Sequence, residues 1–239
     1  MPQNQKGFAP LLIVVVIAVV VLGGGYFLYQ SGNLPVALPG ISGVKMLNIA
    51  TEKDFASISD PILRKHFVAQ SNVAASRMTS LSSGKGTTSI TEYQASSADF
   101  KFRSLEKDGD KEISHSISIG DTTYVKDYSD GKWWKQVNKP EEATESELSD
   151  NPEDVKADFL KEDPSLYKQL GQEACGDLTC YKYEQTFKDF PGKRTFWFDT
   201  KFFLLRKETS GYGEFSVETT YSYDNINILT PSPVKEATP

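Results

Sequence analysis

The chain has 239 residues, a formal net charge of −6 and only two cysteines. An acidic chain repels the phosphates of nucleic acids and of anionic membrane surfaces, so we exclude nucleic-acid binding and a polybasic membrane contact. The residues from Lys45 onward are numerous enough to form one domain with a sizeable core.

An apolar stretch without any charge runs from Phe8 to Leu28. As a helix, about 21 residues span roughly 30 Å, the thickness of a bilayer's hydrocarbon core. We therefore predict that residues 1–29 are a cytoplasmic N-terminus and a transmembrane helix, which contacts the bilayer through residues 8–28. A cleaved signal peptide is the alternative, because Lys6 precedes the run, but the run is long and lacks an Ala-x-Ala site.

The positive charges around this stretch predict its orientation. Lys6 precedes the run, and no further Lys or Arg occurs until Lys45. Because positive residues favour the cytoplasmic side of a membrane, we expect the N-terminus inside and the rest of the chain outside. Residues 30–49, of which 30–44 are uncharged and rich in Gly, Pro and Ser, are predicted to be a flexible linker.

A helix is predicted to begin near Asp60. Ser59 or Asp60 can cap its N-terminus, and Pro61 suits its first turn. Apolar residues then recur at helical spacing, at Ile62, Leu63, Phe67 and Val68. An apolar stripe of this kind has to pack against a partner surface.

From about Ala74 the apolar pattern changes to a period of two, which is typical of β-strands. The clearest amphipathic strand alternates serines with Ile113, His115, Ile117 and Ile119. Short turns, such as those at 108–109 and 120–121, separate the strands, so we expect an antiparallel meander.

An acidic segment over residues 139–163 interrupts the strands. It contains a second helix signal over residues 152–160, with Asn151 in the capping position. Strands resume around Ala174, and the pattern predicts roughly nine or ten strands in the whole chain. The Pro-containing residues 231–239 are predicted to be a disordered tail.

The two cysteines, Cys175 and Cys180, lie close together in the sequence. On a hairpin they would face each other, and outside the cytoplasm this favours a disulfide. So small a loop adds about 2 kcal/mol of stability in the chain-entropy model. A metal site needs more ligands than two thiols, and His66 and His115 lack companions at ligand spacing. A catalytic thiol pair would favour Cys-x-x-Cys.

Motifs for catalysis, cofactors or metals are otherwise lacking in the sequence. The run Gly84–Thr87 does not have the spacing of a phosphate-binding loop, and a Gly-x-Ser-x-Gly element is missing. Neither of the acidic turns at 108–110 and 127–131 has the Glu at the twelfth position of a calcium loop together with the preceding series of ligands. His115 lies on an apolar strand face, where a packed core histidine is commoner than a functional one. We therefore predict no enzyme activity, no cofactor and no metal.

Two motifs and a terminal strand resemble a known group of proteins. Residues Tyr124–Lys135 contain Tyr-Val-Lys-Asp and Gly-Lys-Trp-Trp-Lys, and residues Trp197–Glu208 contain Trp-Phe-Asp and Leu-Leu-Arg-Lys-Glu. A Tyr-Asn-Ile-type strand then precedes Pro231. With the preceding helix and meander, these features resemble the LolA-like superfamily over about residues 50–231, a group that includes LolA-type lipoprotein carriers and LppX/LprG-type lipid carriers.

This resemblance implies an α+β, mainly β fold. A single transmembrane helix would be followed, over residues 50–230, by an unclosed antiparallel β half-barrel with two or three covering helices. It also implies that acyl chains can lie between the sheet and the helices.

Six apolar residues would share the inward face of this sheet if each strand keeps its alternation. They are the candidate ligand-binding residues: Phe100, Phe102, Ile113, Ile117, Phe196 and Phe198. The alternative is core packing against the helices, because periodicity does not separate a binding site from a core.

Taken together, these features predict a membrane-anchored binding protein of the bacterial cytoplasmic membrane, with one membrane pass and an extracytoplasmic domain. Its ligand would be a lipid or a lipidated partner, and helices 60–70 and 152–160 would form a movable lid. A tethered protein cannot shuttle between membranes as soluble carriers do. The alternative is an envelope interaction or sensory module with a packed interior and no ligand, and the sequence names no protein partner.

Overall fold

The computed structural model describes residues 36–37, 45–46, 49–83, 86–95, 100–137, 160–187, 192–212 and 215–236. The predicted transmembrane helix of residues 8–28 and nearly all of the predicted helix 152–160 lie outside these ranges. No helix in the described part of the chain is both long and apolar enough to span a bilayer.

Fourteen strands are present in the described residues, and twelve of them form one sheet. The separate pair is β1 (Val36–Ala37) and β2 (Lys45–Met46). The strands of the large sheet are β3 (Ala75–Ser82), β4 (Thr87–Ala95), β5 (Phe100–Asp108), β6 (Lys111–Ile119), β7 (Thr122–Lys126), β8 (Trp133–Val137), β9 (Tyr167–Cys175), β10 (Leu178–Thr186), β11 (Lys193–Asp199), β12 (Leu205–Tyr212), β13 (Phe215–Ser222) and β14 (Val234–Glu236).

The large sheet runs in the order β14-β8-β7-β6-β5-β4-β3-β13-β12-β11-β10-β9. Its two edge strands, β14 and β9, do not pair with each other within the described residues, so the sheet is unclosed. The predicted mainly β, unclosed architecture is therefore confirmed. The expectation of a purely antiparallel sheet is wrong, because β14 pairs with β8 in parallel.

One helix of more than a single turn lies in the described residues, α1 (Pro61–Ser71), where the sequence predicts a helix near Asp60. The Asp60 carboxylate accepts hydrogen bonds from the backbone N–H of Ile62 (2.8 Å) and Leu63 (3.1 Å). These bonds satisfy two N–H groups that have no partner within the helix. Pro61 occupies the first helical turn, where its missing N–H costs nothing.

The side chains of the sheet point to two faces. The strand pairing shows which residues lie on which face, because residues directly opposite each other on neighbouring strands share a face. Phe196 lies opposite Tyr183 and Glu208, and Tyr93 lies opposite Phe102. We call the face of these residues the helix face, because α1 packs on it, and the opposite one the strap face.

Residues 224–236, which we call the strap, cross the strap face. They bury Ile226 and Ile228 against an apolar cluster of Ile117, Ile119, Tyr124 and Trp133. The backbone of Ile228 is also bonded, since its N–H donates to Gln94 Oε1 (3.3 Å) and its carbonyl accepts from Lys101 Nζ (3.4 Å). The strap therefore covers an apolar surface that would otherwise be exposed to water.

The strap ends in β14 at the edge of the sheet. Lys235 Nζ there contacts Asp127 Oδ2 (2.7 Å) and Asp130 Oδ2 (2.8 Å). The predicted disordered tail over 231–239 is therefore wrong for residues 234–236. The parallel pairing with β8 and these ion pairs offset the conformational entropy lost on ordering the segment.

Glu92 is a fully buried carboxylate on the strap face of β4. Arg77 lies opposite it on β3 and Arg103 opposite it on β5, and both guanidinium groups contact the carboxylate. Because burying a charged group alone is very costly, these two contacts offset the cost of placing the Glu92 carboxylate inside the protein. The three central strands are thereby joined by charge as well as by backbone bonds.

Candidate functional site

A layer of aromatic rings fills the space between α1 and strands β10–β12. We call it the aromatic layer, and its rings belong to Phe55, Phe67, Tyr183, Phe196 and Phe198. Phe198 is 1% exposed, and its ring centroid lies 5.1 Å from that of Tyr183. Phe55 and Phe67 stack on the helix side at 6.0 Å. Buried aromatic residues of this size dominate the energetics of a core or of an apolar binding site.

His66 carries a polar group into the aromatic layer. Its ring stacks on Phe198 with the centroids 4.2 Å apart, and its Nδ1–H donates to the carbonyl of Phe203 (2.8 Å). Burial lowers the pKa of His66 to about 4, although the Phe203 carbonyl and the Asp199 charge act in the opposite direction. The histidine is therefore neutral at pH 7, and the underside of the helix carries no charge there.

The loop that receives the His66 hydrogen bond has an unusual backbone. Phe203 has a positive φ of 60°, which residues other than glycine rarely adopt. Asp199 holds this loop, because its Oδ1 accepts from the N–H of Lys201 (3.0 Å) and Phe202 (2.5 Å). Arg206 Nε in turn donates to Asp199 Oδ2 (2.9 Å), so the loop is fixed by several bonds at once.

Three polar contacts hold α1 in place, two of them to the sheet and one to the segment that precedes the helix. Tyr183 O–H donates to Asp60 Oδ2 (2.7 Å) at the N-terminus, and His66 bonds to the Phe203 loop in the middle. At the C-terminus the Asn72 amide N–H donates to the carbonyl of Ala50 (2.7 Å). Any movement of α1 away from the sheet has to break the bonds of Asp60 and His66.

The six predicted ligand-binding residues do not form one group. Phe196 and Phe198 lie in the aromatic layer. Phe100 and Phe102 share the helix face but pack against a neighbouring cluster that contains Tyr93. The other two residues do not share this surface.

The expectation of a shared inward face is wrong for Ile117 and Ile113. Ile117 lies opposite Arg103 and points to the strap face, whereas Phe102 lies opposite Ser118. Ile113 has no cross-strand partner, because the register shifts between Glu106 and Lys107, and it is 43% exposed. An extra residue in one strand interrupts the alternation on which the expectation depended.

The irregularity at Ile113 also explains the surroundings of His115. Residues three apart in a regular strand point to opposite faces, yet Glu112 Oε1 lies 3.2 Å from His115 Nδ1. The His115 ring meets Trp133 edge-on at 4.7 Å, and burial lowers its pKa. No group of three or more potential metal ligands occurs among the described residues. His115 is thus placed as a packing residue of the strap-covered region.

A cluster of polar side chains borders the aromatic layer. We call it the polar border, and its members are Glu162, Tyr167, Gln185, Arg194, Glu208 and Tyr221. Glu208 accepts from Arg194 Nε (2.9 Å) through Oε1 and from Tyr221 O–H (3.1 Å) through Oε2. Glu162 Oε2 accepts from Tyr167 O–H (3.0 Å) and from Gln185 Nε2 (3.2 Å).

The polar border and the aromatic layer are in direct contact. The Tyr167 ring meets Phe67 edge-on at 5.7 Å and lies 5.9 Å from Phe196. The Arg194 guanidinium lies 5.0 Å from the centre of the Phe196 ring. Burial and the nearby Glu162 charge raise the pKa of Tyr167, so its hydroxyl remains a hydrogen-bond donor. An apolar layer that ends in hydrogen-bonding groups matches the two ends of an amphipathic molecule.

The polar border was not predicted from the sequence. Gln185 and Arg194 are two residues from Tyr183 and Phe196, so the period of two placed them on the same face. The period of two does not predict which strands lie next to each other in the sheet. The disulfide, in contrast, was predictable from spacing, and the structure joins Cys175 to Cys180 across the turn between β9 and β10.

No family model matches the chain, and no curated protein matches it. Among solved structures, lipoprotein LppX of Mycobacterium tuberculosis is similar, with 14% identity over 71% of this chain and 100% of that one and a TM-score of 0.48. LprF of Mycobacterium bovis has 11% identity, coverage of 77% and 99%, and a TM-score of 0.47. A LolA superfamily protein of Nitrosomonas europaea has 9% identity, coverage of 89% and 94%, and a TM-score of 0.20.

Proposed function

We propose that this chain is a membrane-anchored, extracytoplasmic binding protein of the bacterial envelope, and that it binds a lipid or the acyl chains of a lipidated partner. The observation that supports the proposal is the contact between the aromatic layer and the polar border. Together they offer an apolar surface for acyl chains beside hydrogen-bonding groups for a head group. Binding, and not catalysis, is the activity that such a surface performs.

In this proposal the acyl chains enter between α1 and strands β10–β12. Each methylene removed from water contributes about 0.8 kcal/mol. The neutral hydrogen bond of His66 contributes about 1 kcal/mol, and the bond of Tyr183 to the Asp60 carboxylate contributes about 1.5–3 kcal/mol. About five methylenes therefore offset the loss of the two contacts to the sheet, and an ordinary acyl chain has several times that number.

The predicted anchor sets where such a protein would act. Residues 8–28 would hold it at one membrane, and residues 30–49 would let the domain reach molecules near that surface. A tethered protein of this kind would bind or present its ligand locally. It would not carry the ligand from one membrane to another.

A second function is favoured by the packing of the aromatic layer. His66 and Phe198 are in ring contact at 4.2 Å, and Phe198 is almost fully buried, so the protein's own side chains fill this part of the layer. A filled interior suits an envelope interaction or sensory module that binds no lipid. The two functions differ in whether α1 can move aside for an acyl chain.

A photoreactive phospholipid, with a diazirine near the end of one acyl chain, distinguishes the two functions. The full chain would be incubated with this lipid in a nonionic detergent, irradiated, digested and mapped by mass spectrometry. The lipid-binding function predicts cross-links to residues 61–71 and 193–199 in addition to the apolar stretch 8–28. Cross-links confined to residues 8–28 would contradict it and support the packed interaction module.

A further inference from the structure

We propose that the polar border is the head-group site of the acyl ligand and that it takes a head group carrying an ammonium ion. This inference rests on the proposed function, because it needs an acyl ligand in the aromatic layer. It adds the chemical class of the head group, which the aromatic layer by itself does not determine.

The first supporting feature is a buried acceptor at Gln185. This side chain is 4% exposed, and its Nε2 donates to Tyr167 Oη (2.8 Å) and to Glu162 Oε2 (3.2 Å). Its Oε1 is buried and has no hydrogen-bond partner in the described part of the chain. Because buried polar atoms are almost always bonded, this oxygen is suited to accept a hydrogen bond from a ligand.

The second feature is the charge of the polar border. Two carboxylates, Glu162 and Glu208, stand against one guanidinium, that of Arg194. Arg194 contacts Glu208, whereas the donors to Glu162 in the described residues are the neutral groups of Tyr167 and Gln185. The Glu162 charge is therefore available to a cation and would repel an anionic head group.

The third feature is the aromatic ring between these groups. Tyr167 joins the polar border to the aromatic layer, and the face of its ring attracts a cation. An ammonium group beside Tyr167 could donate to Gln185 Oε1 and to the Glu162 carboxylate while its acyl chains enter the layer. A quaternary ammonium group lacks the N–H donors, and an acetylated amine lacks the positive charge.

Two kinds of acyl ligand carry such an ammonium group. One is an aminophospholipid such as phosphatidylethanolamine, and the other is a diacylated peptide whose N-terminal amine is free. Both present the same chemistry to the polar border, so the shared feature, a primary ammonium next to acyl chains, is what we infer. Competition experiments with each ligand distinguish the two sources.

The test measures how well each ligand competes with the photoreactive phospholipid for cross-linking to residues 193–199 of the full chain. The competitors are dioleoyl phosphatidylethanolamine, its N-acetyl derivative, a diacylated peptide with a free amine and its N-acetylated form. We expect acetylation to weaken competition about tenfold for whichever ligand is recognised, as the loss of a charged hydrogen bond predicts. The ligand that shows this difference identifies the source.

A matched pair of variants locates the effect. Glu162→Gln removes the negative charge from an exposed residue of the polar border, and we expect it to abolish the difference between amine and acetylated competitors. Glu184→Gln is the control, since Glu184 neighbours Gln185 in β10 but lies on the strap face, where it pairs with Lys193 (3.1 Å). It should leave the difference unchanged.

The outcomes separate this inference from the proposed function. Equal competition by amine and acetylated ligands, with cross-links still in residues 193–199, would overturn the head-group site and leave lipid binding intact. A preference that survives Glu162→Gln would also overturn it. A lack of any cross-link outside residues 8–28 would overturn the proposed function itself.

Discussion

The two ends of the sheet bury their apolar side chains on opposite faces. Strands β10 and β11 direct Tyr183 and Phe198 to the helix face, where α1 covers them. Strands β6–β8 direct Ile117 and Trp133 to the strap face, where the strap covers them. The same alternation of side chains therefore serves two separate cores, and the covering segment decides which face of a strand becomes apolar interior.

The two covering segments are also held differently. The helix is fixed by aromatic rings and by buried or half-buried hydrogen bonds, including those of Asp60 and His66. The strap is fixed by Ile226 and Ile228, by three residues of parallel pairing and by partly exposed ion pairs of Lys235. Because exposed ion pairs contribute little, the strap depends mainly on its two isoleucines.

The largest effect is expected in the helix-covered region. Phe198→Ala removes a ring that is 1% exposed and contacts both Tyr183 and His66, so we expect the free energy of unfolding to fall by roughly 3–5 kcal/mol. Urea denaturation followed by tryptophan fluorescence measures this loss. Phe215→Ala is the control, because Phe215 is largely exposed, and it should change the stability by less than about 0.5 kcal/mol. Equal losses in the two variants would show that the aromatic layer is not a core.

The free energy of unfolding should depend on pH through His66, which lies in the same helix-covered region. The pKa of His66 is about 4 in the folded chain and 6.5 without burial, so the unfolded chain binds the extra proton between these values. The stability due to neutral His66 is full above pH 6.5 and is lost as the pH falls to 4, by about 3 kcal/mol. His66→Asn keeps an N–H donor but does not titrate. Urea denaturation across this pH range should therefore show that the free energy of unfolding changes less with pH in the variant than in the natural chain. An identical pH dependence of the free energy of unfolding in the two proteins would contradict the burial of His66.

The strap-covered region should respond to Ile228. Ile228→Ala empties a fully buried position against Tyr124 and Trp133, and we expect a loss of roughly 2–3 kcal/mol in the free energy of unfolding. Leu229→Ala is the matched control, because Leu229 is 65% exposed and is not part of this cluster, and it should be nearly neutral. If both variants were neutral in urea denaturation, the strap would not be a cover for the sheet.

The smallest effect is expected at the ion pairs of the strap. Lys235→Ala removes contacts to the half-buried Asp127 and the exposed Asp130, and because both ion pairs are open to solvent the loss should stay below about 1 kcal/mol. The difference between the variant and the natural chain should shrink as salt is added, because salt screens exposed charges. A loss that salt does not change would point to the contact between Lys235 Nζ and the Trp134 ring, whose centre lies 4.1 Å away.

The local features of this fold were readable from the sequence. The cap and proline at residues 60–61 predicted α1, and the spacing of Cys175 and Cys180 predicted the disulfide. These features depend on residues close together in the chain, so short-range rules suffice for them.

The long-range features of the fold could not be predicted from the sequence. Whether Phe102 faces the same way as Ile117 depends on a register in which one residue of shift reverses every side chain, and the structure pairs Phe102 with Ser118. The strand at 234–236 pairs with residues of β8 about a hundred positions earlier, which no local pattern indicates. The polar border likewise assembles from β9–β13 and Glu162.

Hydrogen exchange with and without dioleoyl phosphatidylethanolamine would test most directly whether an acyl ligand binds under α1. The full chain in nonionic detergent would be compared in the two conditions by mass spectrometry of peptides from residues 61–71 and 224–236. If the account is right, lipid changes amide exchange in residues 61–71, where the helix must make room, and leaves the strap unchanged. Unchanged exchange in residues 61–71 at saturating lipid would contradict ligand binding in the aromatic layer and favour a permanently packed interior.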